Sequence, residues 1–125
     1  MVCRGVRGAT TSTENTRESI LARTRELLKE MRDANDILPQ DICSVIFTTT
    51  SDLNAEYPAV AARELGWYDQ ALLCTHEMNV PDGLEKCIRV LIQWNTSKPI
   101  EEIQHVYING AETLRPDRQP EEVLA

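Results

Sequence analysis

The sequence predicts an α+β fold: a mixed β-sheet of about five strands with one long helix and one short helix. One observation is that a single long segment repeats its apolar residues at helical spacing, Ile20, Leu21, Leu27, Leu28 and Met31. A second is that the remaining apolar runs are short, rich in Val, Ile and Leu, and bounded by Gly, Pro, Asn or Asp, as strands are. A third is length: 125 residues suit one domain with a modest core.

Each element has a local reason. The first strand is expected over about Val2 to Gly8, with Val2, Arg4 and Val6 on one side and Cys3, Gly5 and Arg7 on the other. The polar stretch Thr10 to Asn15 reads as a loop. Thr16 can cap a helix that runs to about Ala34, with Arg17, Arg25, Lys29 and Arg32 on its solvated face. Asn35-Asp36 ends that helix, and Pro39-Gln40-Asp41 turns the chain into a second strand, Ile42 to Thr50. Pro58 can start a short helix that Gly66 closes. Gln70 to His76 is a third strand, and Pro81-Asp82-Gly83 a turn. A fourth strand covers about Cys87 to Asn95 and a fifth about His105 to Asn109. Pro116 to Ala125 is expected to be mobile, so the domain is taken as 1–117 and 118–125 as a tail.

Composition narrows the function classes. With 42% hydrophobic and 26% charged residues, the chain falls among ordinary soluble globular proteins. A net charge of −7 argues against nucleic acid or an acidic membrane surface as partner. An anionic ligand would need a local group of arginines. No apolar stretch approaches the roughly 20 residues of a membrane span, and the first residues lack a signal-peptide core, so a cytoplasmic location is expected. Cys3, Cys43, Cys74 and Cys87 form no C-x-x-C pair and make no metal set with His76 and His105, so reduced thiols are expected and no metal site.

One helix of this length covers one face of the sheet. The other face is expected to carry Arg7, Cys74, Arg89 and Tyr107 beside apolar side chains, and to pack against other copies of the chain. Arg89 is the most pointed of these residues. It interrupts Cys87-Ile88-Arg89-Val90-Leu91-Ile92, the most apolar run in the chain. Ile88, Val90, Ile92 and Trp94 make one wholly apolar face, and Arg89 stands on the other. Two readings stay open for it: a structural ion pair, or an anion site where a bound carboxylate or phosphate completes the pairing.

Other residues carry similar alternatives. Arg4 and Arg7 are surface charges, or the glycines around them admit a ligand that Arg7 meets. Glu77 closes an apolar strand as a solvated end, or accepts a hydrogen bond from a substrate hydroxyl. Cys74 and His76 share a strand face and could form a nucleophile pair, though nothing else resembles a cysteine hydrolase. Tyr107 packs in a strand or reaches a ligand. Arg115-Pro116-Asp117 is a turn or the start of a closing tail.

Taken together, the motifs are specific. Arg4-Gly5-Val6-Arg7-Gly8-Ala9-Thr10-Thr11, Tyr57-Pro58-Ala59 with Arg63-Glu64-Leu65, Cys74-Thr75-His76-Glu77-Met78, Lys86-Cys87-Ile88-Arg89-Val90, His105-Val106-Tyr107 and Leu114-Arg115-Pro116-Asp117 occur in this order. The set closely resembles the AroH-class monofunctional chorismate mutases, over about Val2 to Asp117.

The resemblance implies a homotrimer with a pseudo α/β-barrel core and active sites between subunits. It also implies an isomerase that converts chorismate to prephenate in phenylalanine and tyrosine biosynthesis. That reaction is a pericyclic Claisen rearrangement, so no covalent intermediate, metal or cofactor is expected. By the same resemblance Arg89 faces the ether oxygen of the breaking bond. Arg7 and Tyr107 grip a carboxylate, and Glu77 accepts from the ring hydroxyl. Leu73, Cys74, Thr75 and His76 line the pocket, and Tyr57, Ala59 and Arg63 come from the neighbouring subunit. Arg115 begins the tail over the ligand. Three departures fall on affinity more than on the reaction: Val60 stands where some members have lysine, Tyr57 where others have phenylalanine, and Leu65-Gly66-Trp67 is one residue shorter than in some relatives. Two further function classes remain beside this one: a non-catalytic trimeric module for a small dicarboxylate, and a different small enzyme on a related scaffold, such as an enamine or imine deaminase.

Overall fold

Alternation decides which side of a strand is covered. In the computed structural model, which describes residues 1–114, Ile88, Val90, Ile92 and Trp94 are all buried, while Arg89 among them is exposed. Their strand, β4 (Cys87–Thr96), is the middle of a five-stranded sheet. β1 (Val2–Thr11) and β2 (Ile42–Thr49) flank it, both antiparallel to it. β3 (Ala71–His76) adds parallel to β2 and β5 (Val106–Tyr107) parallel to β1, giving the order β3-β2-β4-β1-β5. A parallel neighbour requires a crossover, and α2 (Ala59–Glu64) supplies the one between β2 and β3. The mixed α+β sheet is the one expected.

The long helix, α1 (Arg17–Asn35), lies on one face of this sheet. The Thr16 hydroxyl caps it, accepting from the Ser19 N–H at 3.2 Å. Asp36, in the left-handed region at φ 56°, ends it and donates its N–H to the Arg32 carbonyl. The stripe Ile20, Leu21, Leu27, Leu28 and Met31 is buried throughout: Leu27, Leu28 and Met31 pack with Val6, Val45, Phe47, Val90 and Ile92 of the strands, and Ile20 packs with Leu53 and Ile88. Burying each such side chain contributes about 1.5–3 kcal/mol. Gly8 lets the two layers approach: a Cβ there would collide with the sulfur of Met31 and stand 3.1 Å from Leu27. Buried Asn35 donates to the carbonyls of Met31 and Gln104 and accepts from the Gln104 N–H, which ties the end of α1 to the chain entering β5.

Four features differ from the sequence expectation. β1 continues to Thr11, because Thr10 and Thr11 pair with Ile88 and Cys87 and Thr10 is wholly buried. Tertiary pairing there overrides a locally polar stretch. β5 is only Val106–Tyr107, since just these two residues find partners, Gly8 and Ala9. Two short 3-10 turns, Ile100–Glu102 and Ala111–Leu114, stand where no element was expected. Cys74 lies on the helix-covered side and not on the open one, because its register partner is buried Phe47. The expected mobile segment, 116–125, lies outside the described residues. Among the described residues, no helix is long and apolar enough to cross a membrane.

The helices leave the opposite face uncovered. It presents Arg7, Leu73 and Arg89 to solvent, with Ile46, Thr48, Leu91 and Tyr107 half-buried beside them.

Candidate active site

Arg89 owes its position to the middle strand. β4 is paired on both sides, with Ala9 opposite Arg89 on β1 and Thr48 opposite it on β2. The backbone that carries the guanidinium is therefore held rigidly. Arg7 stands beside Leu91 in the same β1–β4 ladder, and its backbone N–H donates to His105 Nδ1 at 3.0 Å. In that bond Nδ1 serves as the acceptor, which ties the chain entering β5 to β1 beside Arg7. Tyr107 pairs with Ala9 across the short β5, which puts its ring next to the same patch.

Glu77 comes from the far side of the sheet. Its N–H donates to the Thr49 carbonyl at 2.8 Å, extending the β2–β3 pairing one residue past β3. Its side chain then crosses β2, and Oε2 lies 3.2 Å from Arg89 Nε. Oε1 accepts from the Met78 N–H at 2.9 Å. The side chains remain 47% and 31% exposed, so the pair contributes about 0–1 kcal/mol to stability. It is a weak latch, and a ligand anion can replace the carboxylate at Arg89 at small cost.

Arg7, Glu77, Arg89 and Tyr107 line one cavity of about 260 Å³ on the open face, walled by Leu91 and Leu114. Beyond the ion pair a second cavity of about 520 Å³ opens under the loop from Glu77 to Glu85. Glu77 and Arg89 line both, so their contact stands as a partition between the two spaces. The first cavity holds two arginines and one glutamate, a local excess of positive charge in a chain of net charge −7. Two nearby cations, a tyrosine and an apolar wall suit a small ring compound with carboxylate groups.

The other candidates gather elsewhere. Cys74, Thr75 and His76 line a separate cavity of about 420 Å³ with Tyr57, which is largely exposed. Ala59 is buried at the start of α2 and Arg63 is exposed on it. Leu73 is exposed on the open face. Within one chain, then, Tyr57, Ala59 and Arg63 do not reach the Arg89 cavity. Arg115 lies outside the described residues. Burial pushes the Cys74 thiol up despite the opposing pull of the Ala59 N–H and Arg63, which leaves it a poor nucleophile. His76 Nδ1 meets Thr49, with 3.3 Å to both the hydroxyl and the carbonyl oxygen. A Cys74–His76 nucleophile pair gains no support from this geometry. Burial likewise pushes the Cys87 thiol up, with the charge of Arg89 acting the other way.

Thr48 lines the Arg89 cavity and was not singled out from the sequence, whereas Leu114, which also lines it, opens the Leu114-Arg115-Pro116-Asp117 motif. Thr48 falls in the apolar alternation of its strand, and only the pairing with β4 brings it beside Arg89.

The family described as chorismate mutase type I matches residues 3–118. A chorismate mutase AroH from Bacillus subtilis (strain 168) is 43% identical over 118 residues, covering 94% of this chain and 93% of its own. A chorismate mutase AroH from Thermus thermophilus is 47% identical over 115 residues, covering 91% and 94%. A solved chorismate mutase from Clostridium thermocellum superposes with a TM-score of 0.86 at 51% identity, covering 87% of this chain and 97% of that one.

Proposed function

The chain belongs to the chorismate mutase type I family, and on that premise we propose that it rearranges chorismate to prephenate by electrostatic stabilisation and conformer selection. The observation that carries this reading is the meeting of Arg7, Glu77, Arg89 and Tyr107 at one open-face cavity, with Arg89 on the middle strand.

Chorismate carries two carboxylates, and its rearrangement moves no proton. As the C–O bond breaks, negative charge grows on the ether oxygen and positive charge on the ring. A fixed cation at that oxygen acts most strongly in the transition state, which is the condition for raising kcat. We assign this to Arg89. Arg7 and Tyr107 hold the carboxylate of the enolpyruvyl arm and so favour the compact reactive conformer. Glu77 leaves Arg89 when substrate arrives and accepts from the ring hydroxyl, its charge lying near the positive ring. Leu73 stands exposed on the same open face, while Cys74, Thr75 and His76 border the separate cavity beside Tyr57.

Tyr57, Ala59 and Arg63 act in this scheme from a neighbouring subunit of a homotrimer. Two observations support that assembly: the open face carries exposed Leu73 with half-buried Ile46 and Leu91, and the three residues lie away from the Arg89 cavity of their own chain. The four free thiols suit a reducing cytoplasm. One preparation tests the reading: purified protein is sized by light scattering and given chorismate. A trimer that consumes chorismate, with Arg89→Ala inactive, is expected. A wild-type protein without turnover would contradict the function.

A further inference from the structure

Thr48 Oγ1 is closed off from solvent and has no hydrogen-bond partner among the described residues. Such groups are uncommon, because an unpaired buried hydroxyl costs stability that a methyl group of the same shape would not. The other atom in this condition, Gln70 Oε1, stands just before β3, away from the cavity, in an amide whose nitrogen donates to the Pro39 carbonyl. Thr48 is placed differently. It lines the Arg89 cavity, pairs across the ladder with Arg89 on one side and Thr75 on the other, and sits on the strand that the Arg89–Glu77 contact crosses. The unpaired oxygen thus belongs to a residue that lines the same cavity as the ion pair substrate must open.

We propose that Thr48 is a positioning residue for Arg89. When substrate takes Glu77, the Thr48 hydroxyl oxygen accepts a guanidinium N–H of Arg89 and holds the cation in line with the breaking bond. The exchange moves hydrogen bonds only, and it gives the orphaned oxygen its partner in the loaded state. Without that acceptor the long arginine side chain stays mobile over the substrate. Preorganisation is then lost, and kcat falls while binding through Arg7 and Tyr107 is kept.

This role rests on the chorismate mutase reading of the same site. The test compares wild type, Thr48→Val and Thr48→Ser by steady-state kinetics on chorismate and by thermal unfolding. Valine keeps the shape and removes the unpaired oxygen, so its melting temperature should equal or exceed that of wild type. Its kcat should fall about tenfold with KM changed less than about twofold, the loss of one hydrogen bond to a charged group in the transition state. Serine should restore kcat. A Thr48→Val protein with wild-type kcat, or a Thr48→Ser protein no better than it, would overturn the role while leaving the function standing. Absence of turnover in wild type would remove both.

Discussion

Arg89 and Glu77 meet at 3.2 Å, yet their side chains remain partly exposed. A pair in that setting does little for the fold, which favours a resting contact that ligand displaces over a structural bridge. Of the two readings of Arg89, the ion pair is present in the chain, and the anion site belongs to the proposed function. Asp52, on the rim of the adjoining cavity, is held differently. Partial burial works against its charge, but the Thr50 hydroxyl and the Lys86 N–H, at 2.9 Å for the latter, donate to it and hold the carboxyl below its ordinary value. A carboxyl lowered on folding stabilises the native state above the unfolded value and loses that contribution as pH falls through the folded one. Asp52→Asn should therefore destabilise at pH 7 by about 1 kcal/mol or less, given solvent screening. The gap from wild type should narrow below about pH 4. Urea unfolding at neutral and acid pH checks this, and an equal gap at both would contradict it.

Between elements, the closest fit is at Gly8, where β1 passes under Met31 and Leu27 of α1. Gly8→Ala should cost about 1–3 kcal/mol by overpacking, read as a lower urea midpoint. An unchanged midpoint would show that Met31 moves aside freely. The elements differ in how much of them was legible in the sequence. α1 was readable almost to the residue, because its cap, stripe and terminator are all local signals. The ends of β1 and β5 were not, because they depend on where a distant partner strand runs out. The same holds at the site. Arg7, Glu77, Arg89 and Tyr107 were picked out by motif. The side to which Cys74 turns, and the neighbourhood of Thr48, depend on the register of β2 against β3 and β4, which alternation alone does not set.

At the scale of the whole molecule, an acidic chain concentrates two arginines at one cavity on a sheet face that its own helices leave open. A uniformly basic surface would attract many anions. This arrangement puts a local excess of positive charge at the cavity, and the middle strand fixes one of its two arginines there. On the proposed function, the charge of Arg89, and not its shape or hydrogen bonds alone, drives the rearrangement. Replacing it by its neutral isostere, Arg89→citrulline, and measuring chorismate turnover and binding tests this most directly. Binding should survive while kcat falls by at least about 10²–10³-fold; a kcat within a few-fold of wild type would contradict the account.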